Sequence, residues 1–318
     1  FIADKNPTNQ RLYAFVITRS RFQVFNSTLP SNFDRLVKGF NNSLYFSVTE
    51  AYQRSANVLS KLLLRGMPSA KQLIIIPAGR LGTMPFEALT TNKLRGDFGF
   101  SSAPFLVAKC AISYEFSAGV LLQKSKTAGQ TQQSIFLCAP ISFAERDHLD
   151  DLPGTEQEVN NIAQLFASNS LIAKRSEANE ALVKSGKLAD FSYLHFATHG
   201  IVDEVSPELS RIFLQPDAKE DGNVFSGEIF NLELNADLAV LSACQTGLGK
   251  FSKGEGVIGL SRALVYAGAR NIMVSYWSVA DESTSELMTD FYKRLLRQTK
   301  PDFRLALQEA KQDMIKRG

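Results

Sequence analysis

Asp237-Leu-Ala-Val-Leu-Ser-Ala-Cys-Gln-Thr-Gly-Leu-Gly249 and Tyr193-Leu-His-Phe-Ala-Thr-His-Gly200 share one design. In each, a short apolar run ends in one reactive side chain, Cys244 in the first and His199 in the second, and a glycine follows within a few residues. Runs of this length suit strands buried on both faces of a parallel sheet. If the two strands are parallel neighbours, both side chains lie just beyond carboxyl ends, where open α/β sheets bind ligands. An imidazole beside a thiol moves it from an ordinary pKa near about 8.5 toward the nucleophilic thiolate and supplies a proton for the leaving group. Gly200 lets a backbone N–H approach a reacting carbonyl, and the N–H of Cys244 completes an oxyanion hole. Against this stands the reading of Cys244 as a small buried hydrophobe closing a strand. The pattern alone leaves both open.

Around these stretches the chain alternates strand and helix signals: Ile135 to Ala139, Thr155 to Phe166, Leu171 to Lys174, Glu177 to Leu188, Phe191 to Ala197. After a small hairpin pattern (Arg211 to Leu214 and Asn223 to Phe225, flanking Asp221-Gly222), the alternation resumes. It continues with Leu238 to Ser242, a helix near Val257 to Ala267, Asn271 to Ser275, and helices at Ser283 to Arg297 and Phe303 to Lys316. Such alternation predicts an α/β fold, a mainly parallel central sheet with helices on both faces.

Ahead of it, Arg11 to Thr18 and Arg21 to Phe25 read as an antiparallel pair, Ser47 to Arg65 as a helix, and Leu73 to Pro77 as a strand buried on both faces. A further strand pattern lies near Ala111 to Phe116. Residues 124–133, polar and rich in Thr, Gln, Lys and Gly, cannot contribute to a core and read as a linker. The expected division is an N-terminal supporting lobe, 1–123, the linker, and a catalytic lobe, 134–318. The start at Phe1 rather than methionine marks the chain as an expected piece of a longer protein.

The 318 residues carry 35 Lys plus Arg against 32 Asp plus Glu, a net charge of +3, so no broad cationic field is available for nucleic acid. Apolar runs fall far short of the roughly 20 residues that cross a bilayer. A soluble, cytoplasmic protein with no nucleic-acid or membrane partner is expected. Cys110, Cys138 and Cys244 are odd in number and widely spaced, which suits reduced thiols rather than a disulfide framework.

His195 lies inside its strand pattern and reads as a core histidine with a satisfied ring nitrogen; His148, in a polar loop, reads as solvated. The four-residue spacing of His195 and His199 mimics a helical zinc pair, but the neighbours are strand formers and no Glu follows His195, so no metal is expected. Gly259-Leu-Ser-Arg-Ala263 lacks the final glycine of a nucleophile elbow. Gly254-Glu-Gly-Val-Ile-Gly259 is a literal G-x-G-x-x-G, but residues 243–253 separate it from its strand and it falls late in the alternation. It reads as a loop entering a helix, and no cofactor is expected. Asn271 to Asp281 runs from a strand into a turn with the only tryptophan. There Asp281 either caps the next helix or supplies negative charge for a basic substrate side chain beside Trp277 and Ser275.

His-Phe-Ala-Thr-His-Gly at 195–200, Leu-Ser-Ala-Cys-Gln-Thr-Gly at 241–247 and Gly-Glu-Gly-Val-Ile-Gly-Leu-Ser-Arg-Ala-Leu at 254–264 together resemble the CHAT domain family. These are caspase-like cysteine peptidases related to separase. Weaker echoes are Pro77 to Leu89, Leu152-Pro-Gly-Thr-Glu-Gln-Glu-Val159 and Trp277-Ser-Val-Ala-Asp281. The resemblance implies a caspase-like sandwich whose N-terminal lobe is a degenerate, pseudo-protease-like companion. It makes His199 the catalytic histidine and Cys244 the nucleophile of an endopeptidase, with Asp281 favouring Arg or Lys at P1. It further implies a protein substrate, such as a gasdermin-like or other effector in bacterial defence or cell death, and an activating partner bound through tetratricopeptide repeats outside this segment. It leaves a C-terminal edge strand expected but missing. The alternative function is a non-proteolytic interaction scaffold with a silent dyad. Loops 142–152 and 245–254 border the expected crevice and are candidate switch elements.

Overall fold

In the first part of the chain, strands β1 (Ile2–Ala3), β2 (Arg11–Ile17) and β3 (Phe22–Thr28) pair antiparallel in that order, with Phe15 opposite Val24 and Ile17 opposite Phe22. The computed structural model describes residues 2–3, 10–124, 133–143, 149–203, 206–242, 256–275 and 281–317. Helix α1 (Phe33–Tyr45) follows, unanticipated although Phe33, Val37 and Phe40 fall at helical spacing and are all buried. Helix α2 (Thr49–Leu63) lies where the apolar period placed it, burying Tyr52, Ala56, Leu59 and Leu63. Strand β4 (Gln72–Ile75) pairs in parallel with β5 (Ala111–Tyr114), and α3 (Ala118–Lys124) comes next. The expectation that Leu73 to Pro77 is buried on both faces fails: this sheet has two strands, Ile75 is buried and Ile74 stands 40% exposed. One neighbour cannot cover a strand as a central position does.

The second part opens with β6 (Ile135–Ala139), α4 (Gly154–Phe166) and β7 (Ser170–Lys174). The predicted helix over Glu177 to Leu188 is broken. Only α5 (Glu180–Lys184) is α-helical, because the Asn179 side chain caps it at Leu182 N–H and Gly186 turns left-handed at φ +80°. Then come β8 (Tyr193–Phe196), β9 (Gly200–Ile201), β10 (Arg211–Phe213), β11 (Asn223–Phe225), α6 (Ser226–Ile229) and β12 (Leu238–Leu241). Helix α7 (Gly256–Tyr266), β13 (Ile272–Val274) and α8 (Asp281–Leu295) complete the alternation. Between α7 and β13, Gly268 sits at φ +116°, and a Cβ there would lie 1.8 Å from the Leu234 carbonyl oxygen, so glycine is required.

Five strands form one sheet in the order β13-β12-β8-β6-β7, every pair parallel. Alternation along the strands divides its faces. Phe136, Cys138, Leu194, Phe196, Ala239 and Leu241 pack with Val183 of α5, Ile229 of α6 and Leu260, Ala263 and Leu264 of α7. On the opposite face Tyr193 and His195 meet Phe166 of α4 and Tyr292 of α8. This is the mainly parallel α/β sandwich that the alternation predicts, and it is consistent with the caspase-like fold that the resemblance implies. Strands β9, β10 and β11 form a separate antiparallel sheet, so the expected hairpin has a third strand.

The last helix, α9 (Phe303–Arg317), makes its bonds with the first part of the chain: Gln308 and Gln312 donate to the Val107 carbonyl at 2.8 and 3.0 Å, and Gln72 donates to Asp302 at 2.6 Å. The two compact units are therefore Phe1–Ser125 with Lys300–Gly318, and Lys126–Thr299.

Candidate active site

The strand order reverses between β6 and β8. The chain winds outward from β6 to β7 on one side, then returns to build β8, β12 and β13 on the other. In a doubly wound sheet the crevice at such a reversal, beyond the carboxyl ends, is where ligands bind. Register brings three strand ends level: Phe196 pairs with Leu241, and Leu241 with Val274. His199 follows its strand end by three residues, Cys244 follows its own by three, and Ser275 follows by one. The expectation that the two motif strands are parallel neighbours holds.

His199 is 1% exposed and bridges the reversal. Its Nε2 lies 2.7 Å from the carbonyl oxygen of Asp150, in the loop that leads from β6 to α4. A carbonyl can only accept, so Nε2 carries a proton, and in the neutral ring Nδ1 holds the lone pair. Nδ1 is buried and has no hydrogen-bond partner among the described residues. Phe143 packs edge-on against the ring at 4.7 Å between centroids, fixing its plane. The loop itself is held by Asp151. The Asp151 carboxylate accepts from the Phe143 N–H at 2.9 Å and the Ser142 hydroxyl at 3.0 Å, while Leu152 N–H bonds the Ile141 carbonyl at 2.7 Å.

The small sheet orients the next residue. Phe213 N–H donates to the His199 carbonyl at 3.0 Å, and the Thr198 hydroxyl donates to the Phe213 carbonyl. Pairs alternate between bonded and non-bonded in an antiparallel ladder, so with His199 and Phe213 bonded, the Gly200 and Ile212 pair is not. The Gly200 N–H therefore points away from β10, a direction in which it can serve a ligand.

Cys244 and Trp277 lie outside the described residues, as do His148 and the start of the Gly254 to Gly259 stretch. Ser275 is half-buried at the end of β13. Asp281 opens α8 rather than preceding it. The other two cysteines are not nucleophiles in waiting: both are buried, and burial pushes both thiols up, with the Glu87 carboxylate adding to the effect at Cys110.

His195 is the core histidine expected, with both ring nitrogens partnered: Nε2 by Glu158 Oε1 at 2.9 Å and Nδ1 by the Tyr292 hydroxyl at 3.3 Å. Glu158 Oε1 also accepts from the Ser242 hydroxyl at 2.6 Å. The residue reading did not single out Glu158, Ser242 or Tyr292. One signal was present: Glu158 occupies an apolar-stripe position of α4, in line with Thr155, Val159 and Ile162. Asp150 gave no such signal, because it acts through a carbonyl that any residue supplies. In a second charged group the convergent Glu180, Glu220 and Glu228 share one cation, the Lys184 ammonium, which lies 2.6, 3.0 and 2.6 Å from them.

The family model described as CHAT domain matches residues 50–318. The chain belongs to the CHAT domain family. That family's fold is related to the caspase-like cysteine peptidases, in agreement with the sheet order and the buried imidazole at the strand reversal. Tetratricopeptide repeat protein 28 of Homo sapiens is 24% identical over 269 residues, covering 71% of this chain and 10% of the human protein. The protein of the same name from Mus musculus is 21% identical over 269 residues, covering 71% of this chain and 11% of its own length. This CHAT domain thus spans about a tenth of the relatives it matches, and their name places tetratricopeptide repeats in those proteins. No helix of the described residues is long and apolar enough to cross a membrane.

Proposed function

We propose that this CHAT domain is a cysteine endopeptidase. His199 Nδ1 takes the Cys244 thiol proton and the thiolate attacks the scissile carbonyl carbon. The oxyanion accepts hydrogen bonds from the N–H groups of Gly200 and Cys244. Collapse breaks the C–N bond, and His199 returns the proton to the departing amine. Water then attacks the thioester carbon as His199 takes its proton, the C–S bond breaks to release the acid, and His199 returns the proton to the Cys244 sulfur. The Asp150 carbonyl serves both halves: it keeps the resting proton on Nε2, and its bond tightens when the ring becomes imidazolium. The observation that carries this reading is the buried Nδ1, an acceptor with no partner among the described residues, on a ring anchored at the strand reversal.

The substrate is a protein in the cytoplasm, held with a basic P1 side chain against Asp281 and walled by Trp277 and Ser275. Residues 1–123 act as the supporting, degenerate lobe, joined through 124–133 to the catalytic lobe. Repeats of the kind named in the relatives select the partner that activates it. A positional-scanning peptide library tests the scheme. Cleavage after Arg or Lys is expected, lost by about 10³-fold or more in Cys244→Ala and His199→Ala, with the basic preference lost in Asp281→Ala. Cleavage that survives Cys244→Ala removes the nucleophile assignment, and cleavage after acidic residues removes the role of Asp281. A wild type that cleaves nothing in the library or in its activated state is an interaction module.

A further inference from the structure

Glu158, His195, Ser242 and Tyr292 meet on the α4 and α8 face of the sheet, 2%, 0%, 3% and 0% exposed, and none of them takes part in the chemistry above. Glu158 Oε1 is the hub, accepting from His195 Nε2 and from the Ser242 hydroxyl. Burial, and then the Glu158 charge, hold the Tyr292 phenol well above its ordinary value, so it stays protonated. Its hydroxyl lies 3.3 Å from His195 Nδ1, while His195 Nε2 donates to the Glu158 carboxylate at 2.9 Å.

The four side chains lie in or next to four elements, β8, β12, α8 and α4. His195 lies in β8, and His199 follows it by four residues, just past the strand end. Ser242 precedes Cys244 by two. Helix α8, which carries Tyr292, opens at Asp281. Helix α4, which carries Glu158, starts at Gly154, just after the loop whose Asp150 carbonyl holds His199.

A buried carboxylate hub is a poor way to gain stability, since apolar side chains of equal volume usually do as well or better. Hydrogen bonds add direction and length, whereas dispersion contacts tolerate sliding. We propose that Glu158 is a positioning residue: through the Ser242 hydroxyl and the His195 ring it fixes the ends of β12 and β8 relative to each other, so that Cys244 is presented to His199. This rests on the Cys244–His199 reading above.

The test is the alkylation rate of Cys244 by iodoacetamide in the full chain against pH, resolved by peptide mass spectrometry, with buried Cys138 as the folding control. In wild type the rate follows an apparent thiol pKa below about 8.5 and falls in His199→Ala. In Ser242→Ala and Glu158→Gln the rate at pH 7 is expected to fall roughly tenfold, the scale of a displacement of under an ångström. The apparent pKa moves up with it, while Cys138 stays protected. Ser242→Ala removes one hydroxyl and carries the test alone should Glu158→Gln not fold. Wild-type labelling in the variants, with only Tm lowered, makes the network packing alone and overturns the proposal. Labelling of wild type that ignores His199→Ala overturns the dyad, and the positioning role falls with it.

Discussion

Asp150 and Asp151 act on His199 in different ways. Asp150 works through its backbone carbonyl, and Asp151 through a carboxylate that closes the loop carrying that carbonyl. The Phe143 N–H, then the Ser142 hydroxyl, hold the Asp151 carboxyl below its ordinary value of 3.8 against an opposing contribution from burial, with Arg175 adding a lesser lowering. A depressed folded pKa means that the ionised group favours the folded state. The stabilisation is complete above the ordinary value and is lost as pH falls through the lowered one. Thermal melts of wild type and Asp151→Asn should therefore differ by a constant Tm gap above pH 5 that narrows below pH 4. A gap that stays constant down to pH 3 would show that the carboxylate charge is not what closes the loop. At this scale the sequence was legible where a residue type is itself the signal, as with His199 after its strand. It was illegible where the working atom is a backbone oxygen.

Helix α5 spans five residues, too few to be stable alone, and Lys184 at its last position pairs with Glu180 of the same helix and ties it to the β10–β11 connection through Glu220 and to α6 through Glu228. Glu180 also accepts from the Gly222 N–H at 2.7 Å, and Gly222 in turn bonds Leu214, so the knot braces the small sheet on which Gly200 lies. Burial resists the Lys184 charge, but its three carboxylate partners outweigh that and hold its pKa above the ordinary value. Burial raises the Glu180 carboxyl, against the pull of Lys184 and of the Gly222 N–H. Removing the ammonium in Lys184→Met leaves three carboxylates facing one another. We expect a loss of roughly 2 kcal/mol in urea unfolding at pH 7, reduced from the value for a fully buried pair by the exposure of Glu220 and Glu228. An acid with a raised folded pKa costs stability when ionised, so the loss should shrink as pH falls through the raised Glu180 value. An undiminished loss at pH 4 would place the effect in packing of the lysine stem. The sequence reading drew one helix across this region because it followed apolar spacing, and the Asn179 cap and the Gly186 turn cut that helix short.

Across the whole molecule, the parallel sheet was legible because Ile135 to Ala139, Tyr193 to Phe196 and Leu238 to Leu241 are buried on both faces and so read as unbroken apolar runs. The same rule misread Leu73 to Pro77, which is equally apolar but has one strand neighbour. Apolar composition reports hydrophobicity, and only topology decides how much of it is covered. Helix α1 was passed over although its stripe was present, and α9 packs with the N-terminal unit despite following the alternating segment in sequence. Local pattern carries no record of such long-range choices. The proposal that His199, whose Nδ1 has no partner among the described residues, activates Cys244 is tested most directly by a peptidyl chloromethyl ketone with lysine or arginine at P1. Attack by a thiolate forms a C–S bond and expels chloride, leaving an adduct that intact-mass and peptide analysis locate. The account predicts one adduct, on Cys244, formed rapidly in wild type and lost in His199→Ala although Cys244 is still present. Adducts spread equally over Cys110, Cys138 and Cys244, or a Cys244 rate unchanged by His199→Ala, would contradict it.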